Sequence, residues 1–223
     1  MNLFEIIGPV MTGPSSSHTA GAVRIGNAAL NLFGKKPEEA VIKLYNSFSK
    51  TGKGHGTDKA LIAGLLGFAP DDVRIINASR EAENAGLKIS VEFMGNNPDY
   101  HANTAEIILY HGSEKMVVLG KSIGGGRIVI TQVDGYETKY TGEYHGLMTI
   151  HDDVPGVVSV VTGCLAQMGV NIAFMRMYRK RKGSKVMMII DTDNPIPPAV
   201  KDILSNNRHI YKTVILPRNE DEE

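Results

Sequence analysis

The sequence predicts an α+β protein of two parts, a mixed α/β domain over residues 1–140 followed by a βαββαβ domain over residues 147–217. Three observations carry this. Helical periodicity at Ala20–Phe33 and around Leu61–Leu66 is followed by short β-branched runs as far as Val133. Turn-forming pairs crowd residues 135–146 (Asp134-Gly135, Thr141-Gly142, His145-Gly146) with no apolar periodicity across them, which marks a boundary. Beyond it the order strand, helix, strand, strand, helix, strand can be read directly.

In chain order, Leu3–Ile7 is a short apolar start, and Gly8-Pro9 and Gly13-Pro14 deliver the chain into Ser15-Ser16-Ser17-His18-Thr19. A helix over Ala20–Phe33 follows, its inward face Ala22, Ile25, Ala29, Leu32 and Phe33, with Gly34 as a left-handed stop. Lys35–Glu39 is a loop, and Ala40–Phe48 reads as a strand with Ile42 and Leu44 on one side. Gly52–Lys59 is a glycine-rich loop with one histidine, His55, and a capping residue before an amphipathic helix through Leu61, Leu65 and Leu66. Strands are predicted at Val73–Ile76, Leu87–Phe93, Thr104–Tyr110, Met116–Leu119 and Ile128–Gln132, with a short helix at Ser79–Ala85.

In the second part the strands are Leu147–His151, Asn171–Tyr178, Val186–Asp191 and Ile210–Leu216. The first helix buries Val157, Val160 or Val161, Cys164, Leu165 and Met168, and the second buries Val200, Ile203 and Leu204. The tail, Asn219–Glu223, reads as a solvated end.

Composition narrows the function. Twenty-four basic and 24 acidic side chains balance to zero, which removes the bulk electrostatic case for nucleic acid or an anionic membrane. The basic quartet Arg179–Lys182 has no interleaved aromatic platform and reads as a solvated hairpin turn. No apolar run reaches the roughly 20 residues of a membrane span, and the N-terminus lacks a signal-peptide pattern, so the expected location is cytoplasmic. A single cysteine, Cys164, excludes a disulfide framework and a cysteine metal cluster supplied by this chain alone; on the helix stripe it reads as a buried apolar residue.

Four polar stretches carry the chemistry. Gly13–Thr19 sets hydroxyls, an imidazole and backbone N–H groups at a helix N-terminus, an end that favours anions. Gly54–Asp58 repeats that grammar around His55 but is neither a Walker A loop nor a dinucleotide fingerprint. His101 and Asn103 alternate on the way into a strand and point the same way, and Ser122-Ile123-Gly124-Gly125-Gly126 is a turn able to form an anion-binding nest. Together they predict one concave polar site. A Ser–His hydrolase lacks the G-x-S-x-G elbow, and a metal site from His18, His55 and His101 lacks any sequence-local ligand pair.

Those four motifs, in that order, resemble the β subunit of the iron–sulfur-dependent L-serine dehydratases. Asp152, Pro155-Gly156 and Gly169-Val170-Asn171-Ile172 within the βαββαβ run resemble an ACT domain, a ferredoxin-like regulatory module that binds amino acids and pairs with its like. One departure is Ala102, where many members have proline, which bears on that loop's rigidity.

The resemblance implies a substrate-binding domain over 1–140, an ACT domain over 147–217, and dehydration of L-serine to pyruvate and ammonia. It implies a [4Fe–4S] cluster ligated by cysteines of a partner α subunit, with iron acting as Lewis acid on the substrate hydroxyl, and no metal ligand from this chain. On this chain it implies His18 or His55 as acid–base group, with Ser17 as an alternative base. Substrate would be held by Ser15, Ser16, Ser17, Thr19, Gly56, Thr57, Asp58, His101, Asn103, Ser122, Gly124, Gly125 and Gly126, with Asp58 orienting His55. An effector, L-serine itself, would sit at Pro155, Gly156, Val157, Asn171 and Ile172, and the ACT domains would join copies of the assembly. The competing reading is a non-catalytic amino-acid sensor that regulates a partner, which leaves the four polar loops without a task.

Overall fold

The computed structural model describes residues 10–219, which separate into two compact units at the Asp134–Gly135 link. The apolar start at Leu3–Ile7, the Gly8-Pro9 turn and the tail beyond residue 219 lie outside the described residues.

In the first unit Ser15 caps a single π-helical turn, Ser16–Ala20, which runs without a break into α1, Gly21–Phe33. The predicted inward face, Ala22, Ile25, Ala29, Leu32 and Phe33, is wholly buried, and Gly34 ends the helix in the left-handed region with φ 77°. Val23, Arg24 and Ala28 are buried too, so α1 is the central helix of the unit.

Strand β1, Glu39–Tyr45, buries Ala40, Ile42 and Leu44 on one face, as the alternation predicts. It stops before Phe48, because Asn46 turns to φ 54° and opens α2, Asn46–His55. The predicted loop is therefore corrected: Gly52–His55 forms the last turn of a helix, and Gly56, at φ 66°, joins it to α3, Thr57–Leu65. Two interior glycines weaken such a helix by about 1 kcal/mol each. Complete burial of Phe48, worth about 2–3 kcal/mol, offsets this. Gly52 is closely packed: a Cβ there would stand 3.3 Å from Phe93, which would have to give by a few tenths of an ångström, and 3.4 Å from Leu44. The expected side-chain cap is also absent, as Gly56 is the N-cap of α3 and makes no such bond.

Helices α1 and α3 meet backbone to backbone. A Cβ added at Gly64 would overlap the Val23 carbonyl oxygen, and one at Gly26 the Leu61 carbonyl oxygen. Residues Val73–Ile76, read from sequence as a strand, lie instead in a 3₁₀ turn, Val73–Asn77, leading into α4, Ala78–Asn84. Asp72 accepts from the Arg74 N–H at 2.8 Å and caps that turn, while Val73 and Ile76 lie exposed with no strand face to bury.

Four further strands follow, β2 (Lys88–Gly95), β3 (Asn103–His111), β4 (Glu114–Gly124) and β5 (Arg127–Val133). Their order is β2-β1-β3-β4-β5, with only the β1–β2 pair parallel. Strand β4 outruns its predicted Met116–Leu119, so Ser122 is a strand residue. Gly125 and Gly126, at φ 60° and 74°, make the two-residue turn of the β4–β5 hairpin.

The second unit opens with β6, Tyr136–Tyr140, inside the segment read from sequence only as a boundary. Then come β7 (His145–His151), α5 (Val157–Gln167), β8 (Ile172–Arg179), β9 (Val186–Thr192), α6 (Ala199–Ser205) and β10 (Ile210–Leu216), in the predicted order. The last four strands form an antiparallel sheet, β10-β7-β9-β8. Leu147, Val161, Leu165, Met188, Ile190, Val200 and Leu204 form the core between sheet and helices.

Two predicted core residues are corrected: Met168 and Ile203 are 37% and 45% exposed. Val161 rather than Val160 faces the sheet, and Met168 is only the C-cap of α5. Cys164 is buried, and burial pushes its thiol pKa up, as befits an apolar core residue. In the basic quartet, Arg179 donates to Asp153 at 3.0 Å and the Lys180 ammonium lies 4.8 Å from the Tyr136 ring centroid. Among the described residues no helix is long and apolar enough to cross a membrane.

Candidate active site

His18 sits on the π-helical turn, only 9% exposed, with a hydroxyl-bearing side chain beside each ring nitrogen. On the Nδ1 side, Ser17 Oγ is 3.1 Å away and Ser15 Oγ 3.4 Å. On the Nε2 side, Thr51 Oγ1 is 3.0 Å away and Ser47 Oγ 3.2 Å. Local folding explains the first pair: Ser15 Oγ also accepts from the His18 N–H at 3.3 Å, so capping the turn places the serine beside the imidazole.

The second pair comes from α2. Ser47, Thr51 and His55 are spaced by four residues and line one face of that helix. Neither Ser47 nor Thr51 was singled out from sequence, because the segment did not read as a helix. Their i, i+4, i+8 spacing with His55 was the available signal. The His55 ring packs against His18 with centroids 5.0 Å apart, and its Nδ1 lies 3.2 Å from the Thr51 carbonyl oxygen. Phe48 closes another side of His18, the two rings edge to face with centroids 5.2 Å apart. Burial, and then the neighbouring His55, lowers the His18 pKa below the ordinary histidine value.

Asp58, expected to orient His55, makes no hydrogen bond to it. It lies in the first turn of α3, beyond the left-handed Gly56 that redirects the chain. Thr57 is fully buried, and its hydroxyl has no protein partner. The same holds for Thr19, whose side chain packs against Gly13, and for Ser122. A Cβ on Gly21 would collide with Ser122 Oγ, so this serine lies under the start of α1. Ser16 takes a backbone part, its carbonyl accepting from the Gly21 N–H.

The third motif reaches the site through α2. The Ser47 N–H donates to the Ala102 carbonyl at 2.7 Å, and Asn46 forms an isolated bridge with Asn103. Asn46 fastens the loop further, its Nδ2 donating to the carbonyls of Asn97, Tyr100 and His101. His101 is exposed, and its Nδ1 accepts from the Asn103 N–H at 3.2 Å. At the fourth motif, Gly124, Gly125 and Gly126 all have positive φ (93°, 60° and 74°), so they do not alternate in hand as an αR–αL nest requires. The Gly126 carbonyl instead accepts from Arg24 Nη1 at 3.0 Å, tying the turn to α1.

In the second unit, Gly156 (φ 95°) is the N-cap of α5 and Val157 is buried. Asn171 and Ile172 line an open groove of about 450 Å³ along the outer side of α5, with Ser159, Thr162, Gly163 and Ala166. Pro155, Gly156 and Val157 are not in that lining, and Asn171 Nδ2 donates to Asp193 Oδ2. Among the described residues no group of three or more His, Cys, Asp or Glu side chains is arranged to hold a metal ion.

Residues 1–117 match the family model described as "Serine dehydratase beta chain", and residues 147–209 the model described as "ACT domain". A probable L-serine dehydratase, beta chain, of Bacillus subtilis is 42% identical over 95% of this chain and 96% of its own length. The L-serine dehydratase, beta chain, of Peptoniphilus asaccharolyticus is 36% identical over 90% of this chain and 91% of its own. L-serine dehydratase 1 of Escherichia coli is 34% identical over 58% of this chain but only 33% of its own, so most of that longer protein has no counterpart here. Set beside a histidine enclosed by the residues of the Ser15–Thr19 motif, these matches place the chain in the serine dehydratase β-chain family, with an ACT domain at residues 147–209.

Proposed function

We propose that this chain is the β subunit of an L-serine ammonia-lyase, completed by a separate α chain. Its first unit supplies the substrate-binding and proton-handling wall, and His18 is the base. The observation that carries this is the His18 imidazole, buried and with its pKa lowered, so that it is unprotonated at neutral pH and adjoins serine hydroxyls. L-Serine loses its α-proton and its β-hydroxyl as water, giving 2-aminoacrylate. This tautomerises to the imine, which water hydrolyses to pyruvate and ammonia.

His18 takes the α-proton at a ring nitrogen, and the hydroxyls of Ser15 and Ser17 on the Nδ1 side hold the substrate carboxylate at the head of the α1 turn. His55 lies at the solvent side of the pair. Ser16, Thr19, Gly56, Thr57, Asp58, His101, Asn103, Ser122 and the Gly124–Gly126 turn shape the pocket around them.

The residues of this chain do not fit a [4Fe–4S] cluster as ligands: the single cysteine is buried in an apolar core, and the described residues hold no ligand cluster. The cluster is therefore assigned to cysteines of the α chain, and departure of the hydroxyl to no residue of this one. The groove along α5 is the proposed L-serine effector site. Edge strand β8, with Phe174, Met175 and Met177 exposed, is the proposed pairing surface between ACT domains.

Anaerobic co-expression with a candidate α chain tests the assignment. Iron–sulfur absorbance in the co-purified complex and pyruvate from L-serine are expected, the absorbance missing from this chain alone and the pyruvate lost when either chain is omitted. Full activity of this chain alone, or an assembled complex that binds L-serine without consuming it, would overturn it.

A further inference from the structure

Either nitrogen of a neutral imidazole can carry the proton, and the hydrogen bonds around the ring decide which. At His18 the deciding atom is Thr51 Oγ1. That hydroxyl has one hydrogen, and it donates it to the Ser47 carbonyl at 2.8 Å, one turn back along α2. What Thr51 Oγ1 presents to His18 Nε2, at 3.0 Å, is therefore a lone pair. An unprotonated Nε2 would face that lone pair with only Ser47 Oγ, 3.2 Å away, able to donate to it, whereas a protonated Nε2 donates into Thr51 with Ser47 Oγ free to accept as well. The Nδ1 side imposes no opposite demand. Ser17 Oγ can donate to Nδ1, and Ser15 Oγ accepts the His18 N–H without using its own hydrogen.

We infer that Thr51 is a positioning residue that holds neutral His18 in the Nε2–H tautomer, so that Nδ1, on the side of Ser15 and Ser17, is the atom that accepts a proton. Taking the proton at Nδ1 yields an imidazolium whose Nε2–H still donates to Thr51, so the protonated state keeps its support without rearrangement. His55 does not perform this task, because its Nδ1 is turned to the Thr51 carbonyl. The role in catalysis rests on the proposed reaction; the tautomer does not.

The test therefore reads the tautomer directly. In the full chain labelled with ¹⁵N-histidine, long-range ¹H–¹⁵N correlation at neutral pH is expected to show His18 with Nε2 protonated and Nδ1 bare, the signal being assigned by its loss in His18→Gln. Thr51→Val, of similar shape but with no acceptor, is expected to lose this pattern, and Thr51→Ser to keep it. In the assembled enzyme Thr51→Val should lower kcat by about tenfold or more with KM within about twofold, and Thr51→Ser should restore it. A wild-type His18 protonated at Nδ1 overturns the inference whatever the variants do, as does an unchanged tautomer in a folded Thr51→Val. An assembly that never consumes L-serine refutes the reaction while leaving the tautomer measurement to stand or fall by itself.

Discussion

The imidazoles of His18 and His55 lie 5.0 Å apart, centroid to centroid, tilted by 46°, one ring buried and the other exposed. They come from two separate elements, His18 on the turn leading into α1 and His55 at the last residue of α2. Burial first, and then the neighbouring His55, disfavour a positive charge on His18.

Replacing His55 with glutamine removes the lesser of the two causes that lower the His18 pKa. The pKa is expected to rise but to stay below that of a free histidine, because burial persists. An NMR titration of His18 in the full chain checks this, and a fall would reverse the assigned sign.

The same shift makes stability depend on pH. A lowered native pKa means the folded chain binds fewer protons than the unfolded one as pH falls below about 6.5, so stability drops with acidification through that range and is fully present above it. Urea midpoints measured between pH 7.5 and 5 are expected to fall, and His18→Gln to flatten the slope. An equal slope in that variant would assign the effect elsewhere.

Gly64→Ala and Gly54→Ala should move stability in opposite directions. The first drives a methyl group into the Val23 carbonyl and separates α1 from α3, a loss of about 1–3 kcal/mol or more. The second adds a methyl with no atom within 4 Å, inside a helix where alanine is favoured over glycine by about 1 kcal/mol. Thermal unfolding of the two variants beside the parent decides it.

Gly163 lines the groove along α5, and a Cβ there meets nothing within 4 Å. Gly163→Leu is therefore expected to fill the groove and abolish L-serine binding to the assembled protein, with unfolding temperature unchanged or raised. Calorimetric titration with L-serine reads the first, and undiminished binding would place the effector elsewhere.

The second unit was legible almost strand by strand because each element buries one face, and burial on one face is what hydrophobic alternation records. The misplaced residues there, Met168 and Ile203, sit at the rim of a stripe, where one position along a helix turns a side chain by about 100°. In the first unit the sequence by itself determined the inward face of α1, the alternation of β1 and the chemical character of the four polar motifs. The order of those motifs was enough to mark the family.

Only the tertiary structure decided that Asn46–His55 is a helix. Its glycines and polar residues carry little helical signal, and it is held by contacts distant in sequence: Phe48 in the core, Gly52 against Phe93, and Asn46 on the 97–101 loop. That helix brings Ser47, Thr51 and His55 to His18 across about 30 residues of chain, and it settles which histidine is buried. Residue types showed that a histidine among hydroxyls was wanted. Long-range packing chose the hydroxyls and the side of the ring each one faces.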